Sequence, residues 1–498
     1  MGIHKVLIAN RGEIAVRVLR TCRELGLETV AVFSEADRES LHVRYADEAY
    51  CIGPPPAQES YLRGDRIIEV ARRAGAQAIH PGYGFLAESP AFARACADAG
   101  LIFIGPRPET MEQVGNKIAA RQMAERLRLP LLPGTVEMLD DAGLVEAARH
   151  IGYPVLVKAV AGGGGVGIRV ARSEEELRNV IPIAHREARA AFGDDGLYLE
   201  RLVEHARHVE VQILADEHGH VIHLGERECS IQRRHQKLIE EAPSRALDPA
   251  LRERICEAAV RLMRAVGYVG AGTVEFLLNP DGEFYFMEVN PRLQVEHTVT
   301  EAITGVDIVK EQLRIAAGRE LGYTQSDIRP RGWALECRIL AEDPARGFAP
   351  SVGRILQLRE PGGAGIRVDS GISEGMTITS YYDSLLAKLI AWGETRGVAI
   401  VRMRRALAEY RIAGLTTNLD LHRALLNSHR FFGGQFHTRF LEEQFAQTEP
   451  EEEQCMATAL TAVLLDWQRR PGARTSRSES ARRWRTLGRW EATGRIGW

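Results

Sequence analysis

The chain has 498 residues, of which 45% are apolar and 26% are charged, and its formal net charge is −3. This composition is typical of a folded globular protein of about three domains, and it excludes a disordered or fibrous chain. The small net charge excludes a protein-wide basic field for nucleic acid or anionic membranes, so an anionic substrate must be held by locally placed basic residues.

The first hundred or so residues alternate strand-like and helix-like patterns. An apolar run at residues 6–9 leads through a turn at Arg11 and Gly12 into a stretch of helical period. Further apolar strands are predicted at residues 29–33, 76–80 and 101–104. This rhythm predicts a doubly wound, Rossmann-like α/β domain. Its first turn lacks the Gly-x-Gly-x-x-Gly fingerprint, so we do not expect a dinucleotide there.

The pattern changes along the rest of the chain. Between about residues 112 and 330, helices alternate with short strands and a glycine run. From about residue 332 to residue 445, strands at 334–340 and 366–369 precede an amphipathic helix at about 398–410. The last segment has acidic residues at 449–453 and then an Arg-rich stretch at 469–498 with three tryptophans. Nucleic acid is one interpretation of that stretch. A terminal extension docking on its own protein or on a partner subunit is favoured, because the rest of the chain has no basic face.

The N-terminus, the apolar stretches and the cysteines indicate where in the cell the protein is expected. Residues 1–5 run directly into a strand-like segment, and no stretch of about 20 apolar residues appears elsewhere. Seven scattered cysteines include no Cys-x-x-Cys pair, which disfavours a zinc knuckle and a disulfide framework. We therefore expect a soluble, untargeted, cytoplasmic protein that binds neither nucleic acid nor a membrane.

A glycine run suggests a phosphate loop. Gly162–Gly165 follow an apolar strand that ends in Lys158. Consecutive glycines leave backbone N–H groups unshielded, so that they approach phosphate oxygens closely, and a lysine at the strand end adds charge. The alternative is a flexible linker. Lys158, together with Lys117 at a predicted helix start, favours a nucleotide.

Two predicted strands, at residues 272–278 and 284–290, flank an Asp281-Gly282 turn. A two-residue turn at these positions places Glu275 opposite Glu288, with Asn290 on the same face as Glu288. Opposed carboxylates on apolar strands repel unless a cation or a shared proton lies between them. Two carboxylates and an amide oxygen suit magnesium. The alternative is a pair of surface carboxylates on an edge strand.

The residues that follow alternate polar and apolar side chains. This alternation predicts that Arg292, Gln294 and Glu296 share one face beside the metal. An arginine fork holds a small planar anion while a neighbouring carboxylate removes its proton. His297 points the other way, and we interpret it as a structural histidine with satisfied hydrogen bonds.

Four motifs together resemble the biotin carboxylase family. They are Val-Leu-Ile-Ala-Asn-Arg-Gly-Glu-Ile-Ala at 6–15, His-Pro-Gly-Tyr-Gly-Phe-Leu at 80–86, Glu-Arg-Glu-Cys-Ser-Ile-Gln-Arg-Arg-His-Gln-Lys at 226–237, and Glu-Val-Asn-Pro-Arg-Leu-Gln-Val-Glu-His at 288–297. The resemblance covers about residues 3–445 and implies a combined α/β and α+β fold. Its expected parts are a Rossmann-like N-terminal domain (1–112), an ATP-grasp domain (113–331) with a mobile lid (about 131–203), a mixed α/β C-terminal domain (332–446) and a C-terminal extension (447–498).

The resemblance also implies roles for individual residues. Lysines at the positions of Lys117 and Lys158 hold ATP phosphates under the glycine loop. The other implied ATP-binding residues are Gly164 and Gly165 of that loop, Glu200, Arg201, Leu202 and Val203 at the adenine hinge through backbone groups, and His208, Gln232, His235, Glu275 and Glu288. The implied magnesium or manganese ligands are Glu275, Glu288 and Asn290. Lys237 reaches both the γ-phosphate and bicarbonate.

The resemblance also implies binding residues for bicarbonate and biotin. It assigns bicarbonate to Arg292, with Gln294 and the Val295 amide. Glu296 matches the base that deprotonates bicarbonate. Arg338 matches an arginine that steadies the enolate-like biotin, and Tyr83 is a further candidate for a surface under the biotin ring. The residues alone gave no independent indication of Arg338.

Four positions depart from the family pattern. Val166 stands where a basic residue is usual in the glycine loop, which removes a charge near the phosphates, and Ile168 replaces a usual methionine. Arg201 replaces a usual lysine at the hinge, where mainly the backbone matters. Pro291 replaces a common threonine and fixes the chain before Arg292, a change also met in pyruvate-type relatives.

The implied function is ATP- and bicarbonate-dependent carboxylation of biotin, via carboxyphosphate, as the first half-reaction of an acetyl-CoA or acyl-CoA carboxylase of fatty acid biosynthesis. Biotin is expected on a separate carrier protein, because none of the nine methionines precedes a lysine as in a Met-Lys-Met carrier motif. The expected partners are that carrier, a carboxyltransferase subunit that selects the acceptor, and a second copy of the chain. The alternatives are the equivalent pyruvate carboxylase subunit, another ATP-grasp ligase and a non-catalytic nucleotide-binding regulator.

Overall fold

The computed structural model of the protein describes residues 2–160 and 168–445. The predictions for Gly164, Gly165 and Val166 and for the terminal extension lie outside the described residues. The six cysteines in the described ranges are all free. No helix of the described residues is long and apolar enough to cross a membrane.

The N-terminal part is a five-stranded parallel sheet with strand order β3-β2-β1-β4-β5. Its elements are β1 (Lys5–Ile8), α1 (Gly12–Glu24), β2 (Glu28–Ser34), α2 (Leu41–Tyr45), β3 (Glu48–Gly53), α3 (Gly64–Arg73), β4 (Ala78–His80), α4 (Pro90–Asp98), β5 (Ile102–Phe103) and α5 (Pro108–Gly115). Val6 and Ile8 of β1 pack with α1 in one core, whereas Leu7 packs with residues of α3 and α4 in another. Successive strand residues point to opposite faces, so an unbroken apolar run is the pattern of a strand covered on both sides. The predicted doubly wound, Rossmann-like domain is confirmed.

The central part continues with helices and antiparallel strands. These are α6 (Lys117–Arg126), α7 (Asp141–Ile151), β6 (Val155–Ala159), β7 (Arg169–Ala171), α8 (Glu174–Phe192), β8 (Leu197–Arg201), β9 (Arg207–Ala215), β10 (Val221–Arg233), β11 (Gln236–Ala242), α9 (Pro249–Ala265), β12 (Gly270–Leu278), β13 (Phe284–Asn290), α10 (His297–Thr304) and α11 (Ile308–Ala316). Strands β7, β6 and β8 form a small sheet whose apolar core includes residues of α7 and α8. This separate core lies within the range predicted as the lid.

The last part of the described chain adds short strands and four helices. They are β14 (Trp333–Leu340), β15 (Glu342–Asp343), β16 (Ala349–Pro350), β17 (Gly353–Arg354), β18 (Gln357–Arg359), β19 (Ile366–Ser370), β20 (Thr377–Ile378), β21 (Leu385–Gly393), α12 (Arg396–Glu409), β22 (Arg411–Ala413), α13 (Leu419–Asn427), α14 (His429–Phe432) and α15 (Phe440–Gln444). The strands and the helix predicted in this region correspond to β14, β19 and α12.

One eight-stranded sheet joins the central and last parts, with strand order β13-β12-β9-β10-β11-β14-β21-β19. β11 pairs with β14 in antiparallel register, so the sheet runs without a break across residue 331. The charged residues described below lie on or next to these strands and reach them from distant parts of the sequence.

Candidate functional site

A cavity of about 910 Å³ is lined by residues of the N-terminal, central and last parts of the described chain. Its size is within the range of small-molecule and cofactor sites. Side chains from the N-terminal part, from the segment after β8, from the central strands and from β14 line it. Of the predicted site residues, those lining it are Tyr83, Lys117, Lys158, Leu202, Val203, His208, Gln232, His235, Lys237, Glu275, Glu288, Asn290, Arg292, Gln294, Val295 and Arg338.

The two carboxylates predicted to oppose each other do so. Glu275 of β12 pairs directly with Glu288 of β13, and the Asn290 amide donates to Glu275 Oε1 at 2.9 Å. The predicted two-residue turn is wrong, because Asn279 N–H bonds to the Glu283 carbonyl at 2.9 Å and the hairpin closes one residue wider. A register shift between Glu275 and Phe276 then brings the carboxylates back into opposition.

β13 is an edge strand, as the alternative interpretation required, yet the carboxylates do not face open solvent. The side chain of Glu275 is 5% exposed and that of Glu288 is 22% exposed. Both line the cavity. Burial raises the pKa of Glu275, but the nearby cations Lys237 and His208 outweigh it and keep that pKa below its ordinary value. Glu275 is therefore an anion at neutral pH.

Three cations surround this pair. The Lys237 ammonium lies 2.9 Å from Glu275, the imidazole of His208 lies 3.2 Å from it, and Lys117 lies 3.1 Å from Glu288. Burial lowers the pKa of His208, but the Glu275 and Glu210 carboxylates together outweigh burial and raise it to about 9, so the ring is protonated at pH 7. The donor set of Glu275, Glu288 and Asn290 offers hard oxygen ligands at one wall of the cavity, which fits a magnesium ion.

The predicted hinge divides into two pairs of residues. Leu202 and Val203 line the cavity. Glu200 is buried away from it, where its carboxylate pairs with Lys158 and, at 2.6 Å, with Arg121. The Arg201 side chain donates to the Ile151 carbonyl at 3.1 Å, and its backbone N–H bonds to Pro133. The side chains of Glu200 and Arg201 therefore do not line the cavity, because they bond to α6, β6 and α7 instead.

The segment after β13 is a loop, so the predicted alternation along it is wrong. β13 ends at Asn290, and Glu296 is the N-cap of α10. Arg292 nevertheless reaches its neighbours: it donates to the Gln294 side chain at 2.8 Å and to the Asn290 side chain at 3.2 Å. Its Nε pairs with Glu88. An incoming anion therefore competes with the Glu88 carboxylate for the guanidinium.

Glu296 is fully buried and, unlike the preceding Gln294 and Val295, does not line the cavity. Lys237 donates to its Oε1 at 2.7 Å, and Arg338 donates to its Oε2 at 3.0 Å. Burial and the Glu210 carboxylate raise its pKa, but the cations Lys237, Arg338 and Arg227 together outweigh them, and the pKa of Glu296 lies below its ordinary value. The group is an ionised carboxylate behind two cations that face the cavity, and a reactant reaches it past their side chains.

Two carboxylates in this network were not predicted. Glu210 accepts from Lys237 at 2.5 Å, and Glu240 accepts from Arg338 at 2.5 Å. Burial raises the pKa of Glu240 to about 8 against the opposing effect of Arg338. The sequence did carry a signal for Glu210, because His208, Glu210 and Gln212 alternate with apolar residues in β9 and therefore share one strand face.

The remaining predicted residues have less direct contacts. His208 lies 3.2 Å from the Gln232 amide, and burial lowers the pKa of His235. Tyr83 lies near Lys388, whose ammonium is 5.8 Å from the ring centre. His297 is buried, as expected of a structural residue, and its Nδ1 lies 2.8 Å from the Gln294 carbonyl. Its hydrogen bonding is only half satisfied, because Nε2 has no partner among the described residues.

The sequence matches three domain families in turn. The biotin carboxylase N-terminal domain matches residues 2–111, the ATP-binding domain of the carbamoyl-phosphate synthase L chain matches residues 116–324, and the biotin carboxylase C-terminal domain matches residues 336–443. Biotin carboxylase 1 of Bacillus subtilis is 53% identical over 444 residues, which are 88% of this chain and 98% of that protein. The chain belongs to the biotin carboxylase family.

Other members of the biotin carboxylase family are equally similar. A pyruvate carboxylase subunit of Methanothermobacter thermautotrophicus is 53% identical over 93% of this chain and 95% of its own length. Among solved structures, the biotin carboxylase domain dimer of the Hydrogenobacter thermophilus 2-oxoglutarate carboxylase, in complex with MgADP, ADP and bicarbonate, superposes with a TM-score of 0.87 at 51% identity. That match covers 89% of this chain and 98% of the other.

Proposed function

We propose that this biotin carboxylase uses ATP and bicarbonate to carboxylate the N1′ nitrogen of a biotin carried on a separate protein. The observation that carries the proposal is the convergence of Arg292, Lys237 and Glu296 next to the opposed carboxylates Glu275 and Glu288. An anion-binding fork and a candidate metal site line one nucleotide-sized cavity, and the ionised base lies directly behind the lysine that faces it.

In the first step, Arg292 holds bicarbonate, with Gln294 and the Val295 amide beside it, and Glu296 takes its proton. A bicarbonate oxygen attacks the γ-phosphorus of ATP, the bond to the β-phosphate oxygen breaks, and ADP leaves. The product is carboxyphosphate. Lys237 stabilises the negative charge that bicarbonate and the γ-phosphate bring together.

In the second step, carboxyphosphate breaks at the bond between its carbon and the bridging oxygen and yields carbon dioxide and phosphate. The biotin N1′ nitrogen passes its proton to the released phosphate, and its lone pair forms the new bond to the carbon of carbon dioxide. We assign Arg338 to the enolate-like ureido oxygen of biotin and Tyr83 to the surface under its ring. The protein contributes mainly by positioning the reactants and excluding water from a short-lived intermediate.

ATP is assigned to the rest of the cavity. Leu202 and Val203 border the adenine through the hinge, Lys117 and Lys158 reach the phosphates, and His208, Gln232 and His235 lie beside the ribose and phosphates. Glu275, Glu288 and Asn290 would hold magnesium or manganese. A bound divalent ion supplies charge neutralisation on the phosphate oxygens during transfer. We also propose that the N-terminal domain ends at residue 112, the ATP-grasp domain at residue 331 and the C-terminal domain at residue 446.

As partners we propose a biotin carboxyl carrier protein, a carboxyltransferase and a second copy of this chain. We propose that the complex is an acetyl-CoA or acyl-CoA carboxylase. The pyruvate carboxylase assignment is a second candidate, since the pyruvate carboxylase subunit of Methanothermobacter matches over 93% of the chain. Co-purification of the native complex, with identification of the carboxyltransferase by mass spectrometry, decides between the two.

The test of the reaction itself is ATP hydrolysis by the purified chain with bicarbonate and free biotin. The proposal predicts phosphate release that depends on bicarbonate and rises with biotin, with no amine present. Hydrolysis that requires an amine acceptor would indicate another ATP-grasp ligase. Nucleotide binding without turnover in the same mixture would indicate a non-catalytic regulator.

A further inference from the structure

Outside the catalytic cluster, two histidines and a glutamate meet at the rim of the cavity. His205 follows the hinge residues, His437 precedes α15, and Glu443 lies within α15. The imidazole Nε2 atoms of His205 and His437 lie 3.3 Å and 3.4 Å from the two carboxylate oxygens of Glu443. The two ring centres are 4.5 Å apart. Each of the three side chains offers one candidate ligand atom, and these atoms all lie within 4.8 Å of one another.

The spacing suits metal ligands better than hydrogen bonds. A charge-assisted hydrogen bond to a carboxylate has a donor–acceptor distance of about 2.7–2.9 Å, which is shorter than both observed distances. Nitrogen and oxygen ligands at about 2.0–2.1 Å from a tetrahedral zinc ion are separated by about 3.3–3.4 Å. Each histidine nitrogen lies at this separation from one of the two oxygens of Glu443.

The backbone holds the two histidines in place. Thr438 N–H donates to the Ala206 carbonyl at 2.9 Å, which ties the residue after His437 to the residue after His205. His205 itself has a φ of +57°, in the left-handed region that few non-glycine residues adopt. Strained conformations of this kind concentrate at functional sites, where the surrounding structure maintains them.

The chemistry of the set selects the metal. Two imidazoles and one carboxylate are ligands that zinc prefers, whereas magnesium prefers oxygen ligands and keeps its waters. When His437 binds a metal through Nε2, its ring proton lies on Nδ1. Nδ1 then no longer accepts the hydrogen bond from the Arg439 backbone N–H, which is long at 3.3 Å.

We propose that His205, His437 and Glu443 form a binding site for a zinc-like divalent transition metal ion, distinct from the magnesium site of the reaction. An ion there joins the segment after the hinge to α15. Ala206, Thr438 and Arg439 line the nucleotide cavity at this place. A bound ion therefore stabilises the rim of the cavity in the arrangement described.

The experiment measures Zn²⁺ bound to the full chain by equilibrium dialysis in excess Mg²⁺ and ADP, which occupy the catalytic site. We expect His205→Asn and His437→Asn each to remove one bound Zn²⁺ per chain. Loss of an outer-sphere partner of a metal ligand costs about 10- to 100-fold in affinity, and loss of a ligand itself should cost at least as much. Glu443→Gln preserves the side-chain size and should show the same loss, which covers the case in which a histidine variant does not fold.

His150→Asn is the matched control. His150 is an exposed histidine 3.6 Å from Glu146, so it forms a histidine–carboxylate pair outside the proposed site. The control should bind Zn²⁺ like the parent chain. With Co²⁺ as a second probe, the parent should show the strong visible absorption of a four-coordinate ion, and Zn²⁺ should raise the thermal midpoint of the parent but not of the His205 variant.

The proposal is independent of the carboxylation reaction, so either can fail alone. Equal Zn²⁺ binding by the parent and all three site variants would overturn it. So would a parent chain that binds no Zn²⁺, or a Co²⁺ spectrum that the variants leave unchanged.

Discussion

Replacing Arg338 by glutamine should separate the two halves of the reaction. Arg338 lines the cavity and donates to Glu240 at 2.5 Å and to Glu296 at 3.0 Å. Arg292 remains in place to bind bicarbonate, and Lys237 still contacts Glu296. We expect Arg338→Gln to retain bicarbonate-dependent ATP hydrolysis while the yield of carboxybiotin falls.

The magnitude follows from the lost contact. A charge-assisted interaction made chiefly in the transition state is worth about 2.7 to 4 kcal/mol, so carboxybiotin formation should fall by about 10²- to 10³-fold. Removing one partner of a buried ion pair costs about 3–5 kcal/mol of stability. Glu240, whose pKa is about 8, is mostly protonated at pH 7, and Glu296 keeps Lys237. We therefore expect a cost at or below about 3 kcal/mol and a folded variant.

The assay follows phosphate release and carboxybiotin on the same protein sample. Glu240→Gln is the matched control, because it replaces the carboxyl group to which Arg338 donates and leaves the guanidinium in place. If both products fall in proportion in Arg338→Gln, then Arg338 serves phosphoryl transfer or the fold. If Glu240→Gln reproduces the loss of carboxybiotin, the contact with Glu240 rather than the guanidinium carries the effect. Either result would refute the biotin role.

Three further predictions test other parts of the account. Glu288→Gln removes one charge from the candidate magnesium site and should abolish ATP turnover, and near-normal turnover at ordinary magnesium would remove the metal assignment. A streptavidin blot should detect no covalent biotin on the chain, whereas a labelled band would contradict a separate carrier. Burial raises the pKa of Glu13 from its ordinary 4.5 to about 7, against the opposing effect of Lys388. Between pH 4.5 and about pH 7 the folded state therefore binds more protons than the unfolded state. Stability consequently falls as the pH rises through this range. The thermal midpoint of Glu13→Gln relative to the parent should therefore rise across the same window, and a constant difference would contradict the assignment.

Local patterns predicted the local structure well. The apolar run at residues 6–9 became β1, and the helical period after it became α1, because a strand covered on both faces needs only apolar residues. The opposition of Glu275 and Glu288 also followed from a local turn. The two carboxylates face each other although the predicted turn is wrong, because a register shift between Glu275 and Phe276 compensates for the wider loop. Nothing in the residue pattern indicates that shift.

The rest of the site depends on contacts between distant residues. Glu240 and Arg338 are 98 positions apart and meet because β11 and β14 pair in the middle of one sheet. The periodicity of a sequence does not give the order of strands in a sheet. The role of Arg338 is therefore predicted only by the family resemblance, and nothing in the sequence predicts that of Glu240. The assignment of Glu200 to the hinge concerns its backbone and stays a prediction. Its buried side chain needs charge partners, and it pairs with Lys158 and Arg121.

In the proposed reaction, an oxygen atom of bicarbonate attacks the γ-phosphate of ATP. Turnover with ¹⁸O-labelled bicarbonate, started before the label exchanges with water, followed by mass spectrometry of the released phosphate, tests this step. We expect phosphate that carries one ¹⁸O atom from bicarbonate, because carboxyphosphate breaks between carbon and the bridging oxygen. Phosphate whose new oxygen comes from water would contradict it.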